Sequence, residues 1–312
     1  MVKSFLHLSL RWALLLSSGA FASHASGQAP VEHAGELRVG DVTRTYLMHI
    51  PDVRPPVGGF PLILAFHGGG GRGTKMIKLM KLDPLADANG FIVVYPDGLN
   101  GHWNDGRSSI KNKSDDVGFV RALLDEVERR YPINADRVSA VGISNGAVLT
   151  ERLGCELSDR IHAIAAVSGT MSAELAPACH PTQPISVLQV SGTADPIMPY
   201  EGGKVGQVLG IGEGGTVLSA FATVDLWARS NGCSPSSAPE KLPPAGAADG
   251  TSVVRQTYPG CRSSVRVTLL TVRGGGHAWP GGPQVAPRLF GRSSNQINTG
   301  KAVVDFFLPD RS

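Results

Sequence analysis

The stretch that most constrains this chain is Val138-Ser139-Ala140-Val141-Gly142-Ile143-Ser144-Asn145-Gly146-Ala147. An apolar run enters a Gly-x-Ser-x-Gly pentad and helix formers leave it, which spells strand, very tight turn, helix. Glycines stand two before and two after the serine because the backbone doubles back so sharply that a Cβ there would clash. The turn holds its serine in a strained conformation with Oγ projecting above a sheet. A bare pentad is common by chance. The strand–turn–helix context is what makes Ser144 a candidate catalytic nucleophile.

The chain in order supplies the rest of a sheet. Arg44–Ile50 alternates and reads as an edge strand ended by Pro51, and Phe60–Phe66 is a continuous apolar strand of the kind buried on both faces of a parallel sheet. His67-Gly68-Gly69-Gly70-Gly71 follows directly. Glycines let backbone N–H groups approach a ligand that side chains would exclude, and the run is similar to the oxyanion loop of lipases and esterases. One oxyanion donor is then the N–H of Gly68 or Gly69, and the other that of Asn145. The competing reading is a merely flexible loop.

Residues 76–89 read as one helix ended by Gly90, then Phe91–Tyr95 as a buried strand. The polar loop 99–114 carries Trp103, which either walls the substrate or packs on its own loop. Asp115-Asp116 cap a helix with Val117, Val120, Leu123, Leu124 and Val127 on its apolar face. His162–Val167 and Ile185–Val190 are further core strands. Asp195, just past the second, stands where an α/β-hydrolase places its acid; Asp225, in a helical stretch, and Asp249, in a Pro/Ala/Gly-rich insertion, are rivals. Residues 202–215 read as a mobile loop near the site. Val265–Val272 reads as the last strand and runs into His277 on a glycine-cushioned loop, completing the order Ser, Asp, His. Residues 294–308 close the domain as a helix with Ile297, Ala302, Val303 and Phe306 inward. The fold class expected is α/β, an α/β-hydrolase fold with a mostly parallel central sheet and helices on both faces.

Lys3 and Arg11, the apolar run Trp12–Leu16 and Ala20-Phe21-Ala22 describe a secretory signal peptide over residues 1–22, cleaved after Ala22. The apolar run is too short to span about 30 Å of hydrocarbon as an anchor. Residues 23–36 are small and polar, a flexible lead-in, and residues 37–312 form a single catalytic domain. Loss of Lys3 and Arg11, with no acidic residue, takes the net charge from +3 to +1. A near-neutral chain carries no electrostatic footprint for nucleic acid or anionic membrane. Four cysteines, Cys155, Cys179, Cys233 and Cys261, suit an oxidising compartment. Three pairings are open to them; Cys155–Cys179 with Cys233–Cys261 closes the shortest loops. With no Cys-x-x-Cys and no histidine at ligand spacing beside them, a metal site is not expected.

Tyr95-Pro-Asp-Gly98, Trp103-Asn104, Asp115–Phe119, Gly142–Gly146, Gly192-Thr-Ala-Asp195 and Gly276-His-Ala-Trp-Pro-Gly281 together resemble the secreted polyhydroxybutyrate-depolymerase/feruloyl-esterase family of α/β-hydrolases, from about residue 36 onward. Trp227, Gly232-Cys233 and Gly260-Cys261 fit the same pattern. Ala147 stands where many relatives have a glycine. The resemblance implies a secreted serine esterase, extracellular or periplasmic. Ser144, Asp195 and His277 would be its triad, and His67, Trp103 and Trp279 would be substrate-binding candidates. It implies an ester substrate, polymeric or oligomeric: hydroxyalkanoate polyesters, or feruloylated and acetylated polysaccharides. No cofactor and a monomer are expected. The rivals are a non-catalytic binding protein on a hydrolase scaffold and a serine peptidase of the same fold.

Overall fold

The computed structural model describes residue 1, residues 33–208 and residues 212–309; the proposed signal peptide lies outside them. In chain order the strands are β1 (His33–Val39), β2 (Val42–His49), β3 (Phe60–Phe66), β4 (Ile92–Pro96), β5 (Ile133–Ile143), β6 (Ala163–Val167) and β7 (Ser186–Gly192). After the short β8 (Gly203–Lys204) and β9 (Thr216–Val217) come β10 (Glu240–Lys241), β11 (Ser252–Tyr258) and β12 (Val267–Arg273). The helices are α1 (Gly73–Met80), α2 (Asp83–Asn89), α3 (Asp116–Arg130), α4 (Asn145–Glu156), α5 (Ala220–Ser230), α6 (Pro287–Phe290) and α7 (Thr299–Phe307).

The main sheet runs β1-β2-β4-β3-β5-β6-β7-β12-β11-β10. From β4 to β12 all neighbours are parallel, and antiparallel strands flank them on both sides. Strand pleating sends successive side chains to opposite faces, and both faces here are covered. Leu62, Leu64 and Phe66 of β3 pack with Phe119 of α3, Leu149 and Leu153 of α4 and Trp227 of α5. Ile63 and Ala65 of the same strand pack with Met76 and Met80 of α1, Ala86 of α2 and Val303 and Phe306 of α7. Burial on both faces is why β3 reads as an unbroken apolar run.

Several elements differ from the sequence expectation. β1 begins at His33, so residues 33–36 are strand rather than lead-in, and β2 is covered by β1 instead of forming the edge. The helix expected over 76–89 is broken: Lys81 turns left-handed with φ 53°, and Pro84, which has no N–H to continue the ladder, opens α2. β12 is the last strand in chain order, as expected, and β11 and β10 extend the sheet beyond it. Of the stretch 294–308 only 299–307 is helix, started by Asn298, whose Oδ1 accepts from Lys301 N–H. Within 202–215, β8 is paired with β9. Two disulfides join Cys155 to Cys179 and Cys233 to Cys261. Among the described residues no helix is long and apolar enough to cross a membrane.

Candidate active site

Parallel strands deliver their carboxyl ends to one edge, and three of them deliver the candidate triad. β5 ends at Ile143 and α4 begins at Asn145, leaving Ser144 alone as the turn, at φ 57° and ψ −123°. That left-handed φ is costly for a residue with a side chain. The flanking glycines make it sterically feasible. A Cβ on Gly142 would overlap the Gly146 carbonyl oxygen, and one on Gly146 would overlap those of His67 and Phe66.

Asp195 follows β7 and His277 follows β12. His277 Nε2 lies 2.9 Å from Ser144 Oγ, and His277 Nδ1 lies 2.8 Å from Asp195 Oδ2. The second carboxylate oxygen, Oδ1, accepts from the N–H groups of Ile197 and Met198, both at 2.8 Å. Three hydrogen bonds on its two oxygens therefore hold the carboxylate in place. The histidine loop is fixed as firmly: His277 N–H donates to Phe290 O at 2.6 Å, and Ser168 Oγ donates to Ala278 O at 2.8 Å. The rivals for the acid are occupied elsewhere. Asp225 pairs with Arg229 on its own helix, and Asp249 accepts from Thr251 and Asn295.

The glycine loop lies against Ser144, for a Cβ on Gly68 would come 3.2 Å from Ser144 Cβ. Gly70 N–H is bonded to Gly101 O and Gly71 N–H to Gly68 O. No hydrogen bond among the described residues engages the N–H groups of Gly68 and Gly69, and Asn145 N–H is one of the unpaired donors at the start of α4.

Two of the aromatic candidates and the histidine before the glycines turn inward. His67 is fully buried: Gly98 N–H donates to its Nε2 at 2.9 Å and its Nδ1–H faces Gly68 O at 2.8 Å. Burial holds this imidazole below the usual histidine range, so it is a neutral strut of the glycine loop. Trp103 is fully buried too, donating from Nε1–H to His67 O at 2.9 Å and meeting Phe66 edge-on. Trp279 packs in the core with Met76 and Ile297. None of the three is among the residues that line the two cavities at Ser144 described next.

Ser144 instead stands between two cavities. One, of about 250 Å³, is lined by Met76, Leu79, Ile143, Val285, Phe290 and His277. The other, of about 110 Å³, is lined by Gly69, His102, Arg107, Asn145, Met198 and Glu213. A polar cavity of about 620 Å³, with Asn100, Ser109, Lys111 and Gln207, shares His102 and Glu213 with it.

No family model matches the chain. A protein of Nocardia uniformis subsp. tsuyamanensis named as an esterase, NocK, is 34% identical over 284 residues, spanning 88% of this chain and 82% of that one. The chain belongs to this family of α/β-hydrolase esterases. It is a carboxylic-ester hydrolase. Feruloyl esterase B of Piromyces equi is 30% identical over 224 residues, covering 70% of this chain but 39% of that protein. Among solved structures, the acetyl xylan esterase from Aspergillus awamori superposes with a TM-score of 0.58 at 15% identity, over 88% of this chain and 98% of that one, a likeness of fold.

Around Ser144 this esterase carries residues that sequence reasoning missed. Asn145 Nδ2 donates to Asp105 Oδ2 at 2.7 Å and to Trp103 O at 3.0 Å, while Trp103 N–H donates to Asn145 Oδ1 at 2.9 Å. Asp105 is paired with buried Arg107, whose Nη2 is 2.6 Å from Oδ2 and whose Nη1 donates to Gly214 O at 2.6 Å. Deeper still, Arg44 reaches Asp116 at 2.7 Å over the ring of Phe119, so Asp116 points inward and Asp115 alone caps α3. The charged loop residues gave no sign of burial in sequence, because Asp105 and Arg107, though paired with each other, are enclosed by Asn145 and Gly214 far along the chain.

Proposed function

We propose that this esterase is exported and works through an acyl-enzyme on esters that join an apolar acid to a polyhydroxylated alcohol, feruloyl or acetyl esters of plant polysaccharide above all and hydroxyalkanoate oligomers as the alternative polymer. The observation that carries the reading is the hydrogen-bonded line from Ser144 Oγ through His277 to Asp195, set on the strained turn. His277 Nε2 takes the hydroxyl proton as Oγ attacks the ester carbonyl. Asp195 holds the ring in the right tautomer and stabilises its charged form. The N–H of Asn145 with that of Gly68 or Gly69 receives the oxyanion, each such donor being worth about 10²–10³ in turnover. The alcohol leaves with the proton from His277, and water then cleaves the acyl-enzyme by the same route.

The two cavities support an orientation for the substrate. Met76, Leu79, Val285 and Phe290 offer apolar surface to the acyl group, while His102, Arg107 and Glu213 face the alcohol. Feruloyl and acetyl xylan esterases among the similar proteins supply the named acids. Two disulfides agree with export. Hydrolysis of methyl ferulate, acetylated xylan and hydroxybutyrate oligomers by the wild type and Ser144→Ala tests the reading. Release of ferulate or acetate by the wild type alone is expected; equal rates for the two proteins would overturn it.

A further inference from the structure

A second histidine–carboxylate pair lies beside the candidate nucleophile, and the triad chemistry does not use it. His102 Nδ1 is 3.3 Å from Glu213 Oε2. Those facing atoms are buried and make no hydrogen bond among the described residues, to each other or to anything else, yet the side chains as wholes keep 32% and 17% of their surface exposed. The imidazole rests on the oxyanion loop, since a Cβ on Gly69 would come 3.3 Å from its Cε1 and Nδ1. No hydrogen bond among the described residues engages His102 Nε2 or Glu213 Oε1, and both residues line the Ser144 cavity and the larger polar one.

We propose that His102 and Glu213 read hydroxyl groups on the alcohol side of the substrate, an inference that rests on the esterase orientation given above. In the imidazole tautomer that carries its proton on Nδ1, the side of Glu213, Nε2 is a lone-pair acceptor, and an ionised carboxylate is acceptor only. Two acceptors beside the scissile bond call for donors, which the hydroxyls of a sugar-like leaving group supply. Lys111, Asn100 and Gln207 in the adjoining cavity add donors for the oxygens further along such an alcohol. An alkyl alcohol offers nothing to either acceptor, and a site built to bond a hydroxyl discriminates against a ligand lacking it. His102 and Glu213 are therefore specificity determinants for the alcohol, distinct from the proton transfers of His277.

The test compares methyl ferulate with feruloyl-arabinose, two esters of one acid, on the full chain as wild type, Glu213→Gln and His102→Phe. Glu213→Gln keeps the side-chain size and converts an acceptor into a partial donor; His102→Phe keeps a flat ring on Gly69. The expected result is a loss of kcat/KM on the arabinose ester on the order of 10-fold larger than on the methyl ester, in both variants. Losses equal on the two esters would show that the pair serves only the fold or the oxyanion loop, and no loss on either would show that it does not meet substrate; each overturns the proposal. Wild type active on methyl ferulate with Ser144→Ala inactive keeps the underlying reading standing whichever way the variants fall. A wild type inert towards both esters would remove that reading, and this inference with it.

Discussion

Glu151 is a fully buried carboxylic acid in the helix that follows Ser144, and its replacement by glutamine should make the protein increasingly stable relative to wild type as pH rises. Its Oε2 accepts from Trp227 Nε1–H at 2.5 Å, and its Oε1 has no partner among the described residues. Burial pushes the carboxyl from 4.5 up to about 8, against the smaller downward pull of the Trp227 hydrogen bond. The fold thus favours the protonated form. Stability from that preference is fully present below pH 4.5, the unfolded value, falls as pH rises, and levels off above about 8. At about 1.4 kcal/mol per pH unit, the whole window corresponds to at most about 5 kcal/mol. Glu151→Gln keeps the volume and the acceptor for Trp227 but cannot ionise. Any fixed cost of its unpaired amide end is the same at every pH, so the change in the difference between variant and wild type isolates the ionisation. Thermal or urea unfolding of both proteins at pH 5, 6.5 and 8 should show the variant gaining several kcal/mol relative to wild type across the series. For a chain of this size that is on the order of 10 °C in Tm. Parallel stability curves for the two proteins would refute the reasoning, because they would mean that Glu151 titrates alike folded and unfolded.

Gly146→Ala should lose both stability and activity, since its Cβ would meet the backbone carbonyls of Phe66 and His67, which cannot move aside as a side-chain end could; a loss of about 1–3 kcal/mol in urea unfolding is expected, and a fully stable variant would contradict the tight turn. Asp195→Asn should bind ester normally while kcat falls by a factor on the order of 10⁴, because an amide favours the wrong tautomer of His277; near wild-type turnover would mean another residue supplies the acid. Reducing the disulfides, which close separations of 24 and 28 residues, should remove about 3 kcal/mol apiece in the chain-entropy model; an unchanged Tm after thiols are titrated free would contradict that contribution.

The central strands were legible because burial on both faces leaves an apolar run bounded by turn residues, as in Phe60–Phe66. Ser144, Asp195 and His277 were legible because a tight turn needs its glycines and parallel strands put successive carboxyl ends on one edge. What escaped was set by partners remote in sequence. β1 and β11 are antiparallel flanking strands whose pairing is made by backbone, with polar side chains such as Glu36 and Gln256 tolerated between. The aromatic residues near the site carry the sign of a substrate wall in sequence, yet Trp103 is held inward by His67 O and Trp279 by the core behind it. Asp105 and Arg107 read as part of a polar loop; only the approach of Asn145 and Gly214 shows them to be structural to the site.

The most direct measurement of the central claim is covalent capture of the nucleophile. The full chain is incubated with a fluorophosphonate, which reacts with a serine activated by a neighbouring base, and is then weighed intact and mapped by peptide. One adduct per chain, located at Ser144, with esterase activity lost in proportion and no labelling of Ser144→Ala or His277→Ala, is the predicted result. An adduct on a different residue, or full labelling of the His277→Ala protein, would contradict the account.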